Sequence, residues 1–287
     1  MKGKLARRSL FRAIPFLAIA LLLAGTAANA RAVPLVGLTT SNSLVFFDSD
    51  NPRKITDTKR IAGLQVGENI IGIDVRPATK ELYGLASTNR IYKINLMTGA
   101  IAPAGGAPLA LALDGADFGF DFNPVVDRIR AVSVNGQNLR LHPMTGVVVD
   151  ADANAAGVQP DGALAYAAGS ANAGQTPNIV AAAYTNSAAG ATATVLYNID
   201  ANLDVLVTQN PPNNGTLNVV GPLGVNVSNV AGFDIEGGSG TAFAALNPAR
   251  GRGSKLYTID LNTGTATLVG PIGGKSAIRG LAVLPAT

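Results

Sequence analysis

The chain has 287 residues, with 22 Lys and Arg against 18 Asp and Glu, one His, no Cys and no Trp. Five basic and no acidic residues fall within residues 1–30, so the remainder holds 17 basic (22 − 5) and 18 acidic side chains and a net charge near −1. That balance argues against a nucleic-acid partner, which needs an excess of Lys and Arg to displace phosphate counterions. A single His and no Cys exclude disulfides, zinc fingers, multi-His metal sites and a lipid-bearing cysteine.

The N-terminus reads as an export signal. Lys2, Lys4, Arg7, Arg8 and Arg12 precede an apolar run over 14–23, and the small-residue pattern Ala28-Asn29-Ala30 follows. That run is shorter than the roughly 20 residues a spanning helix needs. The reading is a signal peptide over 1–30 cleaved after Ala30, no membrane anchor, a periplasmic or extracellular location, and one β-propeller domain over 31–287. Arg7-Arg8-Ser9-Leu10-Phe11-Arg12 resembles a twin-arginine export motif. An ordinary secretory signal with two adjacent arginines is the alternative.

Beyond the signal, short apolar runs alternate with turn residues. Strands are expected over 35–39, 44–47 and about 54–62, then over 70–75, 82–86, 90–96 and 100–104. A third unit spans 118–122, 128–134, 138–141 and 147–150. A fourth, Ala-rich unit is laid over 163–167, 179–184, 193–199 and 204–209, with inserted loops at 168–177 and 210–228. A fifth spans 230–235, 241–246, 255–261 and 265–269, and a lone strand follows at 278–283. Pro, Asn and Gly punctuate these runs where the chain reverses.

The turns repeat. Tyr92-Lys93-Ile94-Asn95-Leu96-Met97-Thr98-Gly99 is echoed by Leu139-Arg140-Leu141-His142-Pro143-Met144-Thr145-Gly146 and by Tyr257-Thr258-Ile259-Asp260-Leu261-Asn262-Thr263-Gly264. Weaker copies end at Asp48 and Asp200, so positions 48, 95, 142, 200 and 260 recur at spacings of 47, 47, 58 and 60 residues. Four short strands at that period define an all-β fold, a β-propeller of five four-stranded blades. The lone C-terminal strand supplies the first strand that the N-terminal unit lacks. One blade is therefore shared by the two termini, which closes the ring and removes open edges.

Candidate sites are few. His142 stands at the Asn/Asp position of the repeated turn and is expected to bond the turn backbone. Tyr92, Tyr197 and Tyr257 share one repeat position, which marks blade packing. The glycine pairs 105–106, 237–238 and 273–274 lack a following Lys-Ser or Lys-Thr and so indicate no phosphate loop. A Gly-x-Asp element recurs at Gly72-Ile73-Asp74, Gly119-Phe120-Asp121 and Gly232-Phe233-Asp234. First strands line a propeller's central channel, so Asp74, Asp121 and Asp234 are expected to converge there. Carboxylate oxygens at one point suit calcium or another divalent cation. The competing reading is structural, each Asp bonding backbone amides near its own strand. The equivalent places in the remaining two blades are assigned to Ala165 or Tyr166 and to Ala282.

The run Asp121-Phe122-Asn123-Pro124-Val125-Val126-Asp127-Arg128-Ile129-Arg130, continuing into Gly136-Gln137-Asn138-Leu139-Arg140-Leu141-His142-Pro143, resembles an exported bacterial family known as domain of unknown function 4394. The repeated turns share that resemblance, which spans about residues 34–284. It implies a propeller-like fold and export, and it brings no established catalytic residues. The function expected is that of a secreted, monomeric, non-enzymatic scaffold binding a periplasmic or extracellular protein or other ligand. The alternative is a metal-dependent, lactonase-like hydrolase using Asp74, Asp121 or Asp234. The fold itself hosts both kinds of function.

Overall fold

The computed structural model describes residues 32–247 and 253–285, together with Gly3. The expected signal peptide and its cleavage after Ala30 lie outside the described residues. Among the described residues no helix is long and apolar enough to cross a membrane.

Among the described residues twenty strands form five small sheets. In the first, β20 (Ile278–Val283) pairs with β1 (Pro34–Thr39), followed by β2 (Ser43–Asp48) and β3 (Asp57–Arg60). The C-terminal strand thus completes the N-terminal blade, as the missing first strand predicts. The second sheet runs β4 (Ile70–Val75), β5 (Leu82–Ala86), β6 (Arg90–Ile94), β7 (Ile101–Pro103). The fifth runs β16 (Ala231–Ile235), β17 (Ala242–Leu246), β18 (Lys255–Ile259), β19 (Ala266–Pro271). Both follow the sequence periodicity closely.

The third and fourth blades depart from it. Blade three holds β8 (Phe118–Asn123), β9 (Arg128–Ser133) and β10 (Asn138–Leu141), and the expected strand over 147–150 is reduced to one bridge between Leu141 and Val148. The Asp150 side chain accepts the N–H groups of Asp152 (3.1 Å) and Gln159 (2.9 Å), bending the chain away before a ladder can extend. In blade four the order from the axis is β12 (Ile179–Tyr184), β13 (Leu196–Asp200), β14 (Val205–Gln209), β15 (Thr216–Pro222), with β11 (Ala165–Tyr166) added parallel at the outer edge. The strand expected innermost therefore lies outermost, and the loop expected over 210–228 contains β15. Ala181-Ala182-Ala183, not Ala165 or Tyr166, occupies the Gly-x-Asp place.

The innermost strands β4, β8, β12, β16 and β20 contact one another in turn and close a ring. Each is covered on both faces, so every residue of β4 and β12 is buried, unlike the exposed outer strand β3. Glycine is what lets these strands approach. A Cβ on Gly72 would lie 2.6 Å from the Phe120 Cβ, and one on Gly119 would lie 2.7 Å from the Ala182 Cβ. The space between them is only about 10 Å³, at the limit of the roughly 10–15 Å³ that holds a single water. The inner strands therefore line the axis as expected, and at this level they leave it room for no more than about one water.

The repeated turns hold their register through side chains. Asn95 Oδ1 accepts the N–H groups of Met97 (2.9 Å) and Thr98 (3.0 Å), and Asp260 Oδ1 accepts that of Asn262 (2.8 Å). His142 does the same with Nδ1, accepting the Met144 N–H at 3.3 Å. Gly99, Gly146 and Gly264 end these turns at φ of 75°, 67° and 81°, a conformation that favours glycine.

Candidate functional site

The Gly-x-Asp strands bring their carboxylates together. One oxygen each from Asp74, Asp121 and Asp234 lies within 4.8 Å of the others, and all three residues are buried. Each carboxylate also reaches the neighbouring blade. Asp74 Oδ2 accepts the Phe122 N–H (2.8 Å), Asp121 Oδ1 accepts the Tyr184 N–H (3.0 Å), and Asp234 Oδ2 accepts the Val283 N–H (2.5 Å). Asp74 and Asp234 additionally accept the N–H of the next residue in their own strands, Val75 and Ile235, both at 2.6 Å. The element thus has a local cause: Gly admits the adjacent strand, and Asp two residues later bonds across the junction.

Electrostatics oppose ionisation here. Burial pushes the Asp74 carboxyl well above its usual value and the Asp234 charge adds to this, against the Phe122 and Val75 hydrogen bonds. Asp121 is raised by burial first and then by the charges of Asp74 and Asp234. Burial lifts Asp234 to about 7, although the Val283 and Ile235 amides favour its charged form. Three carboxylates at this separation suit shared protons or a cation, since two oxygens each about 2.4 Å from a calcium ion can be up to ~4.8 Å apart.

A recess of about 310 Å³ opens where the inner strands end. Asp74 and Asp234 contribute to its wall, with Val75 and Val283 from the strand ends and Lys80 and Glu236 from the following turns. Asp121 belongs to the cluster without lining the recess. Lys80 and Glu236 were missed by motif reading because both sit in ordinary hairpin turns; only their position just after the inner strands points to the mouth. His142 lies in a surface turn and Tyr92 is a buried packing residue whose hydroxyl donates to Glu68 at 3.2 Å.

Five sheets around a glycine-packed axis, with carboxylates stitching one junction to the next, define a five-bladed β-propeller. The chain belongs to the family described as Domain of unknown function (DUF4394), whose profile matches residues 43–282. No curated protein sequence matches it. Among solved structures, a protein of unknown function from Bacteroides thetaiotaomicron VPI-5482 is 13% identical, with 90% of this chain and 68% of that chain covered and a TM-score of 0.47. A nidogen/laminin complex chain is 12% identical, with 88% and 98% covered and a TM-score of 0.48. Myxococcus xanthus glutaminyl cyclase is 14% identical, with 85% and 83% covered and a TM-score of 0.43. Similarity of this degree carries no argument about activity.

Proposed function

We propose that this protein is an exported, monomeric and non-enzymatic binding propeller that holds a protein or other ligand in the periplasm or outside the cell. The observation supporting this reading is the recess at the mouth of the axis. Its walls come from turns and strand ends of several blades, an arrangement suited to presenting contacts. The carboxylates beneath it are already engaged in joining blades, so they have a structural role independent of any chemistry.

A second reading is favoured by one observation, the 4.8 Å grouping of Asp74, Asp121 and Asp234. A carboxylate oxygen has two lone pairs, so each can keep its backbone hydrogen bond and still face a cation. Calcium or another divalent ion held there would supply a Lewis acid for lactone hydrolysis. The experiment separating the readings incubates the purified chain, loaded with calcium, zinc or manganese, with δ-valerolactone and p-nitrophenyl acetate. The binding reading expects rates equal to those of Asp121→Asn. Turnover in the native chain that vanishes in Asp121→Asn, with folding intact, replaces it with the hydrolase reading.

A further inference from the structure

A larger recess, about 540 Å³, lies between blades three and four and takes no part in the axial site. Its chemistry starts from an unfavourable sequence feature. Arg130 on β9 stands directly opposite Arg140 on β10, and like charges at that position destabilise a sheet. Arg128, two residues before Arg130, also lines the recess.

The blade tolerates the pair because Asp161 comes in from the loop before β11. Asp161 Oδ2 accepts from Arg130 Nη1 (2.6 Å) and from Arg140 Nε (2.7 Å), and its Oδ1 accepts from Arg140 Nη2 (2.8 Å). Arg130 and Asp161 are almost wholly buried. Arg130 is further fixed by Nη1 donating to Asn138 Oδ1 (2.7 Å) and Nη2 to Asn213 Oδ1 (2.8 Å). A buried ion pair held by such a set of neutral partners is a rigid platform.

One carboxylate does not neutralise three guanidinium groups. The wall carries Arg128, Arg130 and Arg140 against Asp161, an excess of two positive charges. The nearby Asp127 is engaged by Arg76. Among the described residues Arg140 spends Nε and Nη2 on Asp161, and Arg128 spends Nη1 on the backbone oxygens of Val126 and Asp127. Arg140 Nη1 and Arg128 Nη2 remain available for an acceptor. The rest of the wall is mixed: Val126, Ile129, Val149 and Pro212 form an apolar side, and Asn123, Asn213 and Asn214 add polar groups. Val126 is 54% exposed.

We propose that this cleft binds a small organic acid, its carboxylate on Arg128 and Arg140 and its apolar body against Val126, Val149 and Pro212. A planar guanidinium matches a carboxylate in geometry and charge. The volume falls within the roughly 300–1,000 Å³ of small-molecule sites. The apolar side of the wall distinguishes this ligand from a bare inorganic oxyanion, which would leave that side uncovered.

The test uses isothermal titration of the purified chain with phenylacetate, benzoate and octanoate, with phenylacetamide and inorganic phosphate as comparison probes. Saturable binding of at least one acid is expected, with phenylacetamide and phosphate weaker by tenfold or more. Arg128→Gln lies outside the buried network and should keep its melting temperature while weakening the acid about tenfold, the loss expected for one charged hydrogen bond. Three results overturn the proposal: no saturable binding of any acid at millimolar concentration, equal binding of phenylacetate and its amide, or phosphate alone binding. Acid affinity unchanged in both Arg128→Gln and Arg140→Gln, each verified as folded, also overturns it.

Discussion

Raising the pH through the neutral range should loosen this propeller, because its axial acids are easier to ionise in the unfolded chain than in the folded one. Asp234 titrates near 3.8 when free and at about 7 in the fold. Between those values the folded state binds more protons than the unfolded state, so stability falls as pH rises. It is highest below the unfolded value and reaches its lower plateau above the folded one. From pH 5 to 7 the loss from Asp234 alone is about 2 kcal/mol, because the slope of about 1.36 kcal/mol per pH unit falls to half as the pH reaches the folded value. For a domain of this size that lowers the melting temperature by roughly 5–9 °C. Asp74 and Asp121 are raised for the same reason and act in the same direction. Acids with lowered values, such as Glu81 beside Lys93 and Asp127 beside Arg76, lose their contribution only below about pH 4–5, so they scarcely affect this window. The assay is thermal melting from pH 5 to 8 in a chelator. Asp234→Asn should flatten the slope while costing about 1–3 kcal/mol at pH 5, since its amide nitrogen cannot accept one of the two N–H groups. A melting temperature that is level or rises from pH 5 to 8 refutes the reasoning.

Calcium titrated into the native chain at pH 8 should restore what the pH removes, raising the melting temperature as its concentration passes the dissociation constant; an unchanged melt up to millimolar metal returns the three acids to a purely structural role. Deleting residues 278–287 removes β20, the strand joining blade one to the ring, and should give a destabilised or aggregating protein by melting and size-exclusion chromatography. A truncated chain that melts like the native one would show that the ring does not need this closure. His142→Asn keeps an acceptor for the turn amide, so folding and any ligand binding should be preserved within about 0.5 kcal/mol in a melt. Gly119→Val should destabilise by more than about 3 kcal/mol, because the first added carbon already lies 2.7 Å from the Ala182 backbone nitrogen and side chain.

The innermost strands of blades two, three and five were legible because each carries Gly-x-Asp. There the glycine and the aspartate report two physical demands at once, close approach of the next strand and an acceptor for its N–H. Blade four meets the first demand with Ala181 and Ala182 and has no acid for the second, since the Ile235 N–H of the next strand goes to Asp234 in its own strand. Its inner strand therefore bears no mark of its position, and a period counted from the turns alone misplaces the strands around it. The convergence of the three acids could be anticipated because they share one strand position. Partnership between Arg130, Arg140 and Asp161 could not, since Asp161 comes from an irregular loop whose path no repeat specifies.

The incomplete acid ring also has a physical reading. The two blades without an aspartate carry Ala183 and Ala282 in its place, and the amides facing them do not go unsatisfied. Ile235, which follows β12 around the ring, donates to Asp234 in its own strand, and Val75, which follows β20, donates to Asp74. Three acids with five oxygen–amide bonds thus serve all five inner strands. Two further carboxylates would add charge at a buried point without an amide left to satisfy. Three is the number that completes the backbone bonding with the least repulsion. The same economy leaves a compact acid cluster beneath the mouth, where a proton at low pH or a cation at high pH can relieve what repulsion remains.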